Sequence, residues 1–340
     1  MRALRFHGPG DLRLESVPEP EAGAGETVVE VDACGVCGSD LHFLDGTART
    51  ARLPMTLGHE VAGRVLGENT AGLSAGARVV LRPGAYCGRC RPCLEGRPNI
   101  CERTVVLGID SDGGLAERVV VPVESIIPMP DGLDPAEAAT AVDAGATARH
   151  AVMRTGGVRA GDAVLILGVG GLGGYAVQIA RNAGAGPVIA ADISPSALDR
   201  ATQLGADETI LVEPGVSLGR QVKMITDGGA DVALEFVGRA ATVDAAVKSL
   251  RPGGRAVVVG VGVEPVATLP AVLWSNNEYT LAGSYGSLPG DVELVLAALA
   301  TGDLIPPQVE RVPLDEAVSV IEAASRGDLH LDGRRLVVVP

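Results

Sequence analysis

The sequence predicts an α/β protein in which a β-rich segment is followed by a doubly wound parallel sheet. In residues 1–145, short apolar runs alternate with turn residues, which is typical of strands with inserted loops. From residue 163 onward, apolar strands alternate with helical stretches, the pattern of parallel strands joined by right-handed crossovers. At 340 residues the chain has the length of about two domains. We therefore expect one domain for each pattern.

Runs of branched apolar residues between turns place the individual elements. In the first region we expect strands at residues 28–31, 61–65, 77–81 and 117–121. In the second region we expect strands at residues 163–167, 188–191, 209–212, 232–236, 255–260 and 280–284, with helices at 172–183 and 194–204. Ser194 is a suitable N-cap for the later helix, and Pro195 suits its first position.

After the second region, the chain is expected to return to the first domain. A helix at residues 292–301 and mixed segments lead to a final apolar strand at residues 335–339. We therefore place one domain at residues 1–147 and 287–340, and the other at residues 148–286.

The composition argues against nucleic-acid and membrane partners. A net charge of −14 repels both nucleic acid and anionic lipid. Residues 163–180 carry no charge and have the length of a short membrane span, but five central glycines favour a strand, a turn and a buried helix. With no secretory signal at residues 1–10, we expect a cytoplasmic protein. A reducing compartment favours metal binding over disulfides for the six cysteines.

A glycine-rich turn indicates a dinucleotide site. Residues 168–173 read Gly-Val-Gly-Gly-Leu-Gly between a predicted strand and a predicted helix, which fits the Gly-x-Gly-x-x-Gly fingerprint in its required context. Gly168 permits the tight turn, Gly170 and Gly171 lie where the backbone approaches a pyrophosphate, and Gly173 allows close helix packing. Amide protons at the helix start then favour phosphate. The alternative is a glycine-rich turn without a ligand.

Asp192 closes the second predicted strand at the distance expected of a ribose-binding carboxylate. Such a carboxylate accepts hydrogen bonds from the adenosine ribose hydroxyls and would repel a 2′-phosphate. We therefore expect NAD rather than NADP as the cofactor. The alternative is that Asp192 merely begins the following helix.

Four closely spaced cysteines indicate a structural zinc lobe at about residues 84–103. They are Cys87, Cys90, Cys93 and Cys101. Tetrahedral zinc takes four such ligands, and an all-thiolate set leaves no open position for a substrate. Disulfides or an iron–sulfur cluster are the alternatives.

Three further segments, together with these motifs, resemble a known family. They are residues 35–42 (Gly-Val-Cys-Gly-Ser-Asp-Leu-His), 58–60 (Gly-His-Glu) and 143–147 (Asp-Ala-Gly-Ala-Thr). In this order, with the cysteine lobe and the later fingerprint, they resemble the zinc-containing medium-chain dehydrogenase/reductase family over nearly the whole chain, and bacterial secondary-alcohol dehydrogenases within it. The resemblance implies a GroES-like β-rich catalytic domain and a Rossmann NAD-binding domain.

The resemblance also implies a second, catalytic zinc. Its matching ligands are Cys37, His59 and Asp143, and Glu60 matches a carboxylate that enters the zinc shell in some relatives. Asp143 stands where many relatives carry cysteine and polyol dehydrogenases carry glutamate. Asp40 matches a group that orients the ligating histidine.

The family's remaining roles fall on four residues. Ser39 matches the hydroxyl that takes the alcohol proton, and His42 matches the outer member of the proton relay. Thr147 and Leu172 match residues that pack beside the nicotinamide ring. From the residues alone, Ser39 and Asp40 could instead cap a helix, and His42 could be an ordinary loop histidine.

The expected activity is therefore oxidation of a primary or secondary alcohol to an aldehyde or ketone, or the reverse, with NAD and two zinc ions per chain. The alternative is a biosynthetic carbonyl, imine or enone reductase of the same family with only structural zinc. A homotetramer or homodimer is expected from the resemblance.

The family's geometry places five residues near the substrate: Phe43, Leu57, Asp110, Trp274 and Tyr285. Cys34 is interpreted as a buried strand thiol.

Overall fold

The computed structural model describes residues 1–67, 72–266, 269–329, 331 and 334–340. The chain divides into two compact units. The first comprises residues 1–144, 288–302 and 306–340, and the second comprises residues 145–287 and 303–305.

The strands, in chain order, are β1 (Arg2–Gly8), β2 (Asp11–Ser16), β3 (Glu26–Gly35), β4 (Met55–Thr56), β5 (Glu60–Val65), β6 (Arg78–Leu81), β7 (Gly84–Ala85), β8 (Val105–Val106), β9 (Arg118–Pro122), β10 (Ile126–Pro128), β11 (Val164–Leu167), β12 (Val188–Asp192), β13 (Glu208–Leu211), β14 (Ala230–Glu235), β15 (Leu250–Val258), β16 (Thr280–Gly283), β17 (Val309–Pro313) and β18 (Arg335–Val339).

The α-helices are α1 (Gly38–Leu44), α2 (Arg91–Leu94), α3 (Pro135–Thr140), α4 (Ala146–Arg149), α5 (Gly171–Asn182), α6 (Pro195–Gln203), α7 (Leu218–Ile225), α8 (Ala240–Lys248), α9 (Ala271–Asn277), α10 (Asp291–Thr301) and α11 (Ala317–Ser325). Short 3₁₀ turns lie at Pro98–Ile100 and Val123–Ser125, and π-helical turns lie at Ala141–Gly145 and His150–Gly156.

The first unit is built on a mostly antiparallel sheet in the order β10-β6-β5-β3-β18-β17, with β9 also paired to β3. Strand β18, from late in the chain, lies antiparallel to β3 and parallel to β17. The predicted return of the chain to this region is thus observed as a strand in the sheet. A second sheet has the order β2-β1-β4, and β7 pairs with β8 beside the cysteine lobe.

The second unit is built on a parallel sheet in the order β13-β12-β11-β14-β15-β16. Numbered within the unit, this order is 3-2-1-4-5-6, with helices in the connections, which is the doubly wound arrangement predicted from the alternation. The order reverses between β11 and β14, and ligands of such sheets bind at the strand ends beside this reversal.

The two units have separate apolar cores, each built mainly from aliphatic side chains. In the first, side chains from several strands pack together, among them Val29, Val61, Leu115 and Val338. In the second, Leu165, Ile189, Leu250 and neighbours are covered by helices α7 and α8. Burial of this apolar area is the main favourable term in the folding of each unit.

The predicted elements agree closely with the observed ones. Each predicted strand overlaps an observed strand, and the helix predicted at residues 194–204 spans Pro195–Gln203. Ser194 caps it, because its hydroxyl accepts the Ala197 amide at 3.4 Å. The uncharged stretch 163–180 is divided between β11 and α5, and in the described part of the chain no helix is long and apolar enough to cross a bilayer.

One long helical stretch was not predicted. Residues 135–156 form α3, a π-helical turn, α4 and a second π-helical turn in direct succession. Asp134 caps its start by accepting the Ala136 amide at 2.9 Å, and Gly157 ends it with a φ of +63°. π-helical turns are uncommon and are found frequently at functional sites. The first of them carries Asp143.

Candidate active site

Four potential metal ligands from three segments of the first unit lie together. Cys37 immediately precedes α1, His59 immediately precedes β5, Glu60 is the first residue of β5, and Asp143 lies in the first π-helical turn. One ligand atom from each lies within 4.8 Å of the ligand atoms of the others. The Asp143 Oδ2 atom is 3.4 Å from the Cys37 sulfur and 3.6 Å from His59 Nε2. The structure therefore brings together all four residues assigned to the catalytic metal.

The start of α1 fixes the position of Cys37. Cys37 is the N-cap residue, and its backbone amide donates to Asp40 Oδ2 at 2.8 Å. The second oxygen of Asp40 is 4.0 Å from His59 Nδ1, and neither atom has a hydrogen-bond partner among the described residues. Asp40 rather than Ser39 therefore caps the helix, and it also faces the side of the histidine opposite to the cluster.

The cluster concentrates negative charge around one imidazole. Burial lowers the pKa of His59, but Asp40, Asp143 and Cys37 outweigh burial and raise this pKa well above its ordinary value. A site that stabilises a positive charge on a buried imidazole also attracts a metal cation. Asp40 is itself fully buried, and burial raises its pKa.

Glu60 pairs with an arginine that the sequence interpretation did not assign. Both carboxylate oxygens accept hydrogen bonds from Arg335, which opens β18 and is 9% exposed. Burial raises the pKa of Glu60, Arg335 opposes this effect, and Asp143 adds to it. Gly35 makes room for this carboxylate, because a Cβ atom there would lie 2.1 Å from a Glu60 oxygen. The detectable signal was the lone charge at the start of an apolar strand.

The two groups assigned to the proton relay, the Ser39 hydroxyl and the His42 imidazole, both lie on α1. The Ser39 hydroxyl is 3.5 Å from His59 Nε2, so it lies at the edge of the cluster. His42 lies one turn later and is partly exposed. Its Nδ1 atom faces Thr47 Oγ1 at 3.1 Å and Asp45 Oδ2 at 3.4 Å.

The four cysteines of the lobe also form a compact group. Their sulfur atoms lie within 4.8 Å of one another, and Cys90 is 3.4 Å from Cys93 and 3.7 Å from Cys101. These distances are far too long for disulfide bonds. They are close to the separation of roughly 3.8 Å between two sulfur ligands that each lie about 2.3 Å from a tetrahedral zinc ion. All six cysteines of the chain are free thiols, so the disulfide alternative is wrong.

The thiols of the lobe differ in pKa. Backbone amides of Arg89 and Cys90 lower the pKa of Cys87 to about 6. Burial, reinforced by the sulfurs of Cys90 and Cys101, raises the pKa of Cys93 to about 12. The Cys93 amide lowers the pKa of Cys90 as well. The thiols of Cys87 and Cys90 therefore ionise more readily than that of Cys93, and a complete tetrathiolate requires a bound cation to offset its charge.

The glycine fingerprint forms the turn between β11 and α5. Gly168 has a φ of +86°, where a side chain is strained, and a Cβ atom on Gly173 would lie 2.0 Å from the Gly168 carbonyl oxygen. By contrast, a Cβ atom on Gly170 would meet nothing within 4 Å. Gly170 is also the N-cap of α5 without a side-chain cap, and Gly171 and Leu172 follow in the first turn. The empty space at Gly170 therefore leaves the helix amides accessible to a phosphate.

Asp192 and Glu235 hold the loops on either side of this turn. Asp192 accepts the Val169 amide at 2.8 Å and the Ser194 amide at 2.9 Å. Glu235, which is fully buried at the end of β14, accepts the amides of Val237 and Gly238, each at 2.8 Å. Sequence reasoning missed Glu235, although a carboxylate at the end of an apolar strand was a visible signal.

The residues expected to shape the substrate pocket have different surroundings. Phe43 and Leu57 are 3% and 0% exposed in the first core, so they act as packing residues. Asp110 accepts the Val106 amide at 2.8 Å within its own loop. Trp274 packs edge-on against Tyr279 in the second unit. Tyr285 is 57% exposed.

Two other assigned residues are also buried. Thr147 lies on α4 in the second unit and is 7% exposed. Cys34, at the end of β3, is 0% exposed within the first core, and burial raises the pKa of its thiol well above the ordinary value. The interpretation of Cys34 as a buried strand thiol is therefore confirmed.

A β-rich unit with a thiolate, imidazole and carboxylate cluster, joined to a doubly wound unit with a glycine turn, defines a metal-dependent, dinucleotide-linked oxidoreductase. Family comparison agrees. Residues 23–131 match the alcohol dehydrogenase GroES-like domain, and residues 171–301 match the zinc-binding dehydrogenase domain. The chain therefore belongs to the zinc-containing medium-chain dehydrogenase/reductase family.

Individual relatives match over most of their length. The chain is 33% identical to an alcohol dehydrogenase of Geobacillus stearothermophilus, covering 94% of each chain. It is 31% identical to a sorbitol dehydrogenase of Bacillus subtilis, covering 88% of this chain and 87% of the relative. A zinc-binding dehydrogenase of Sinorhizobium meliloti, solved with bound NADP, superimposes with a TM-score of 0.90 at 33% identity, covering 100% and 99% of the two chains.

Proposed function

We propose that the protein is a zinc-dependent dehydrogenase that oxidises a primary or secondary alcohol to an aldehyde or ketone, or catalyses the reverse reaction, with hydride transfer to NAD. The observation that carries this proposal is the cluster of Cys37, His59, Glu60 and Asp143 with the Ser39 hydroxyl at its edge. We assign catalysis to the first unit and NAD binding to the second.

The donor atoms of the cluster suit zinc. Sulfur, imidazole nitrogen and carboxylate oxygen are its usual protein ligands, and a catalytic site combines three of them with an open position. Cys37, His59 and Asp143 supply one of each, with Glu60 as a further carboxylate. His59 Nδ1 has no hydrogen-bond partner among the described residues and faces Asp40, which leaves Nε2 directed toward the other ligands.

The chain's own residues account for substrate deprotonation. Zinc bound here would act as a Lewis acid that makes a substrate hydroxyl easier to deprotonate. Ser39 would accept that proton at its hydroxyl oxygen while its own hydroxyl proton leaves along the relay to His42, which gives it up to solvent. Arg335 neutralises Glu60, so that the buried carboxylate does not add an unpaired charge to the site.

The preference for NAD rests on Asp192. Two backbone amides fix both of its carboxylate oxygens at the end of β12, beside the glycine turn. A fixed negative charge in this place disfavours a 2′-phosphate. The Sinorhizobium meliloti relative was solved with NADP, so the fold by itself does not select NAD. The charge of Asp192 is thus the feature that distinguishes them here.

The experiment that tests the proposal combines metal analysis with turnover. We expect two zinc ions per chain and NAD-dependent oxidation across a panel of primary, secondary and polyol alcohols. The panel includes sorbitol because of the Bacillus subtilis relative. In Cys37→Ser we expect one zinc ion, no turnover and retained NAD binding. Cys34→Ala, which changes the neighbouring buried thiol, is the control and should retain both ions.

Two outcomes would contradict the proposal. Turnover retained by Cys37→Ser rules out metal-assisted catalysis at this cluster. A single zinc ion in the unmodified protein, with no alcohol turnover, supports the carbonyl, imine or enone reductase alternative.

Asp192→Asn, which removes the charge but keeps an acceptor oxygen, should shift the cofactor preference toward NADP. An unchanged ratio of NAD to NADP turnover contradicts the assigned role of Asp192.

We further propose that the protein is a homo-oligomer, either a dimer or a tetramer, joined through the second unit. Strand β16 lies at the edge of the parallel sheet, and Leu281 on it is 39% exposed. Val261, Val263 and Val272 of the same unit are 60–77% exposed. Edge strands with exposed apolar side chains pair readily with another chain, and a second copy of this protein is the partner that the arrangement favours.

A further inference from the structure

The turn after α1 surrounds one nitrogen of His42 with oxygen atoms. Asp45 Oδ1 accepts the Thr47 amide at 2.8 Å and the Thr47 hydroxyl at 2.6 Å. The ring nitrogen Nδ1 of His42 lies 3.1 Å from that hydroxyl oxygen and 3.4 Å from Asp45 Oδ2. The Ala48 amide donates to the His42 carbonyl at 2.9 Å, which closes the turn.

The protons available to these groups determine whether Nδ1 of His42 is protonated. A hydroxyl has a single proton, and the Thr47 proton points to Asp45 Oδ1, the shortest of its contacts. An ionised carboxylate only accepts, so both oxygens near Nδ1 present lone pairs to it. Two lone pairs facing an unprotonated nitrogen repel it, whereas an Nδ1–H donates to both. The hydrogen bonds therefore place the ring proton on Nδ1.

Asp45 is ionised under working conditions, as this accounting requires. Hydrogen bonds from the Thr47 side chain lower the pKa of Asp45, partial desolvation opposes this effect, and the Thr47 amide and His42 lower it further. The carboxylate therefore remains an acceptor at neutral pH.

We propose that Asp45 and Thr47 are positioning residues that hold His42 in the tautomer with a proton on Nδ1, so that Nε2 is the nitrogen that receives the relayed proton. The inference rests on the proposed function, because it refines the relay role of His42. A proton arriving at Nε2 forms an N–H bond with the ring lone pair, while the Nδ1–H bond stays intact. The resulting positive charge faces Asp45, and the same Nε2 proton then leaves to solvent.

The arrangement follows the logic of a catalytic triad, in which a carboxylate orients an imidazole and stabilises its cationic form. The pair is partly exposed, with side-chain exposures of 37% for His42 and 38% for Asp45. Solvent therefore screens the charge interaction, and orientation of the ring is the larger part of the effect.

The first test reads the tautomer directly. Side-chain ¹⁵N chemical shifts are recorded on the holoenzyme at a pH well above the ordinary histidine pKa of about 6.5. The chain has five histidines, and His42→Gln identifies the signals of this one. We expect a protonated Nδ1 and an unprotonated Nε2 in the unmodified protein, and a loss of that preference in Asp45→Asn and Thr47→Val. A proton on Nε2 in the unmodified protein overturns the inference.

The second test links the tautomer to turnover. We expect Asp45→Asn to reduce kcat about tenfold with little change in KM, since a general acid or base contributes about 10²–10⁴-fold and ring orientation is part of that contribution. In a His42→Gln background the same change should have no further effect, because Asp45 acts through the ring. Asp11→Asn, which removes another exposed carboxylate paired with Arg13, is the control and should leave kcat unchanged.

The outcomes separate the two proposals. If His42→Gln leaves kcat unchanged, the relay in the proposed function is wrong, and the kinetic role of Asp45 is excluded with it. If His42→Gln reduces kcat but Asp45→Asn does not, the relay stands and the positioning role is overturned. A reduction by Asp45→Asn of equal size with and without His42 also overturns it, because the effect then does not pass through the imidazole.

Discussion

At the scale of single residues, the candidate site depends on buried charges that neutralise one another. Glu60 and Arg335 lie almost without solvent exposure and face each other across strands β5 and β18. Removal of one member of such a pair leaves the other as an uncompensated buried charge. The arginine is therefore expected to matter for the integrity of the site as well as for its electrostatics.

Arg335→Met should destabilise the protein strongly, by about 3–5 kcal/mol, because Glu60 remains buried without its cation. Thermal unfolding is the measurement, with Tm compared between variants rather than converted to a free energy, since a chain of two units need not unfold in one step. Arg334→Met removes the partly exposed arginine that pairs with Glu310 and should cost less than about 1 kcal/mol.

A second variant makes this prediction discriminating. Adding Glu60→Gln to Arg335→Met removes the orphaned charge and should recover part of the lost Tm. Equal melting temperatures for Arg335→Met and Arg334→Met would show that the buried pair is not a stability determinant.

The sequence indicated the site residues unevenly. Cys37, His59, Glu60 and Asp143 were found because their motifs carry a recognisable order. Arg335 was missed because a single charge in an apolar strand does not identify its partner, and Glu60 becomes that partner only when the sheet is assembled. Glu235 was missed because its partners are the backbone amides of Val237 and Gly238, which leave no side-chain signal in the sequence. The relation between His42 and Asp45 was missed for a different reason, since it depends on which oxygen takes the single proton of Thr47.

At the scale of elements, two glycines of the turn between β11 and α5 have different roles, one in helix packing and one in leaving space for a ligand. Gly173 is required by packing, because a side chain there would collide with the Gly168 carbonyl. Gly170 has free space around it, and its φ of −72° is not in the left-handed region. We therefore attribute its lack of a side chain to the proposed dinucleotide rather than to packing.

Gly170→Ala and Gly173→Ala should consequently have opposite signatures. We expect Gly170→Ala to keep its Tm and lose NAD affinity by at least tenfold, since the methyl group occupies the space left for the pyrophosphate. Gly173→Ala should lower the Tm, because helix α5 must move from β11. Fluorescence titration with NADH and thermal unfolding provide the two readouts. Unchanged NADH affinity in Gly170→Ala would remove the phosphate role of this turn.

The secondary structure was predicted correctly where the apolar residues recur at a regular period. It was missed where π-helical hydrogen bonds interrupt the helix. The strands of the second unit, and the two helices predicted there at residues 172–183 and 194–204, follow from alternation and caps. The helical stretch at residues 135–156 was missed because its π-helical turns interrupt the 3.6-residue period on which a helix assignment depends. The same irregularity places Asp143 in its turn, so the least predictable element carries one of the site residues.

At the scale of the whole molecule, exposed apolar groups concentrate on the second unit although the chain carries a net charge of −14. Long-range repulsion between identical acidic chains opposes association, so a stable oligomer requires a sizeable apolar contact. The edge strand β16 and the valines near it are the candidate for that contact.

Leu281→Lys should therefore shift the protein toward the monomer, because it places a charge on the edge strand that we propose to be paired. Sedimentation velocity gives the mass directly. Leu294→Lys is the matched control, since Leu294 is 50% exposed on α10 of the first unit and should leave the mass unchanged. A monomeric unmodified protein, or an unaltered mass for Leu281→Lys, contradicts the proposed interface.

The position of β18 also has a consequence for how the protein is made. Its neighbour β3 is synthesised early, but β18 follows only after the whole of the second unit. Nascent domains usually fold in the order in which they leave the ribosome, and this chain reverses that order. The second unit can complete its sheet while the first still lacks a strand. Until Arg335 emerges, Glu60 lacks the arginine that pairs with it. The unit that carries the candidate site is therefore completed last.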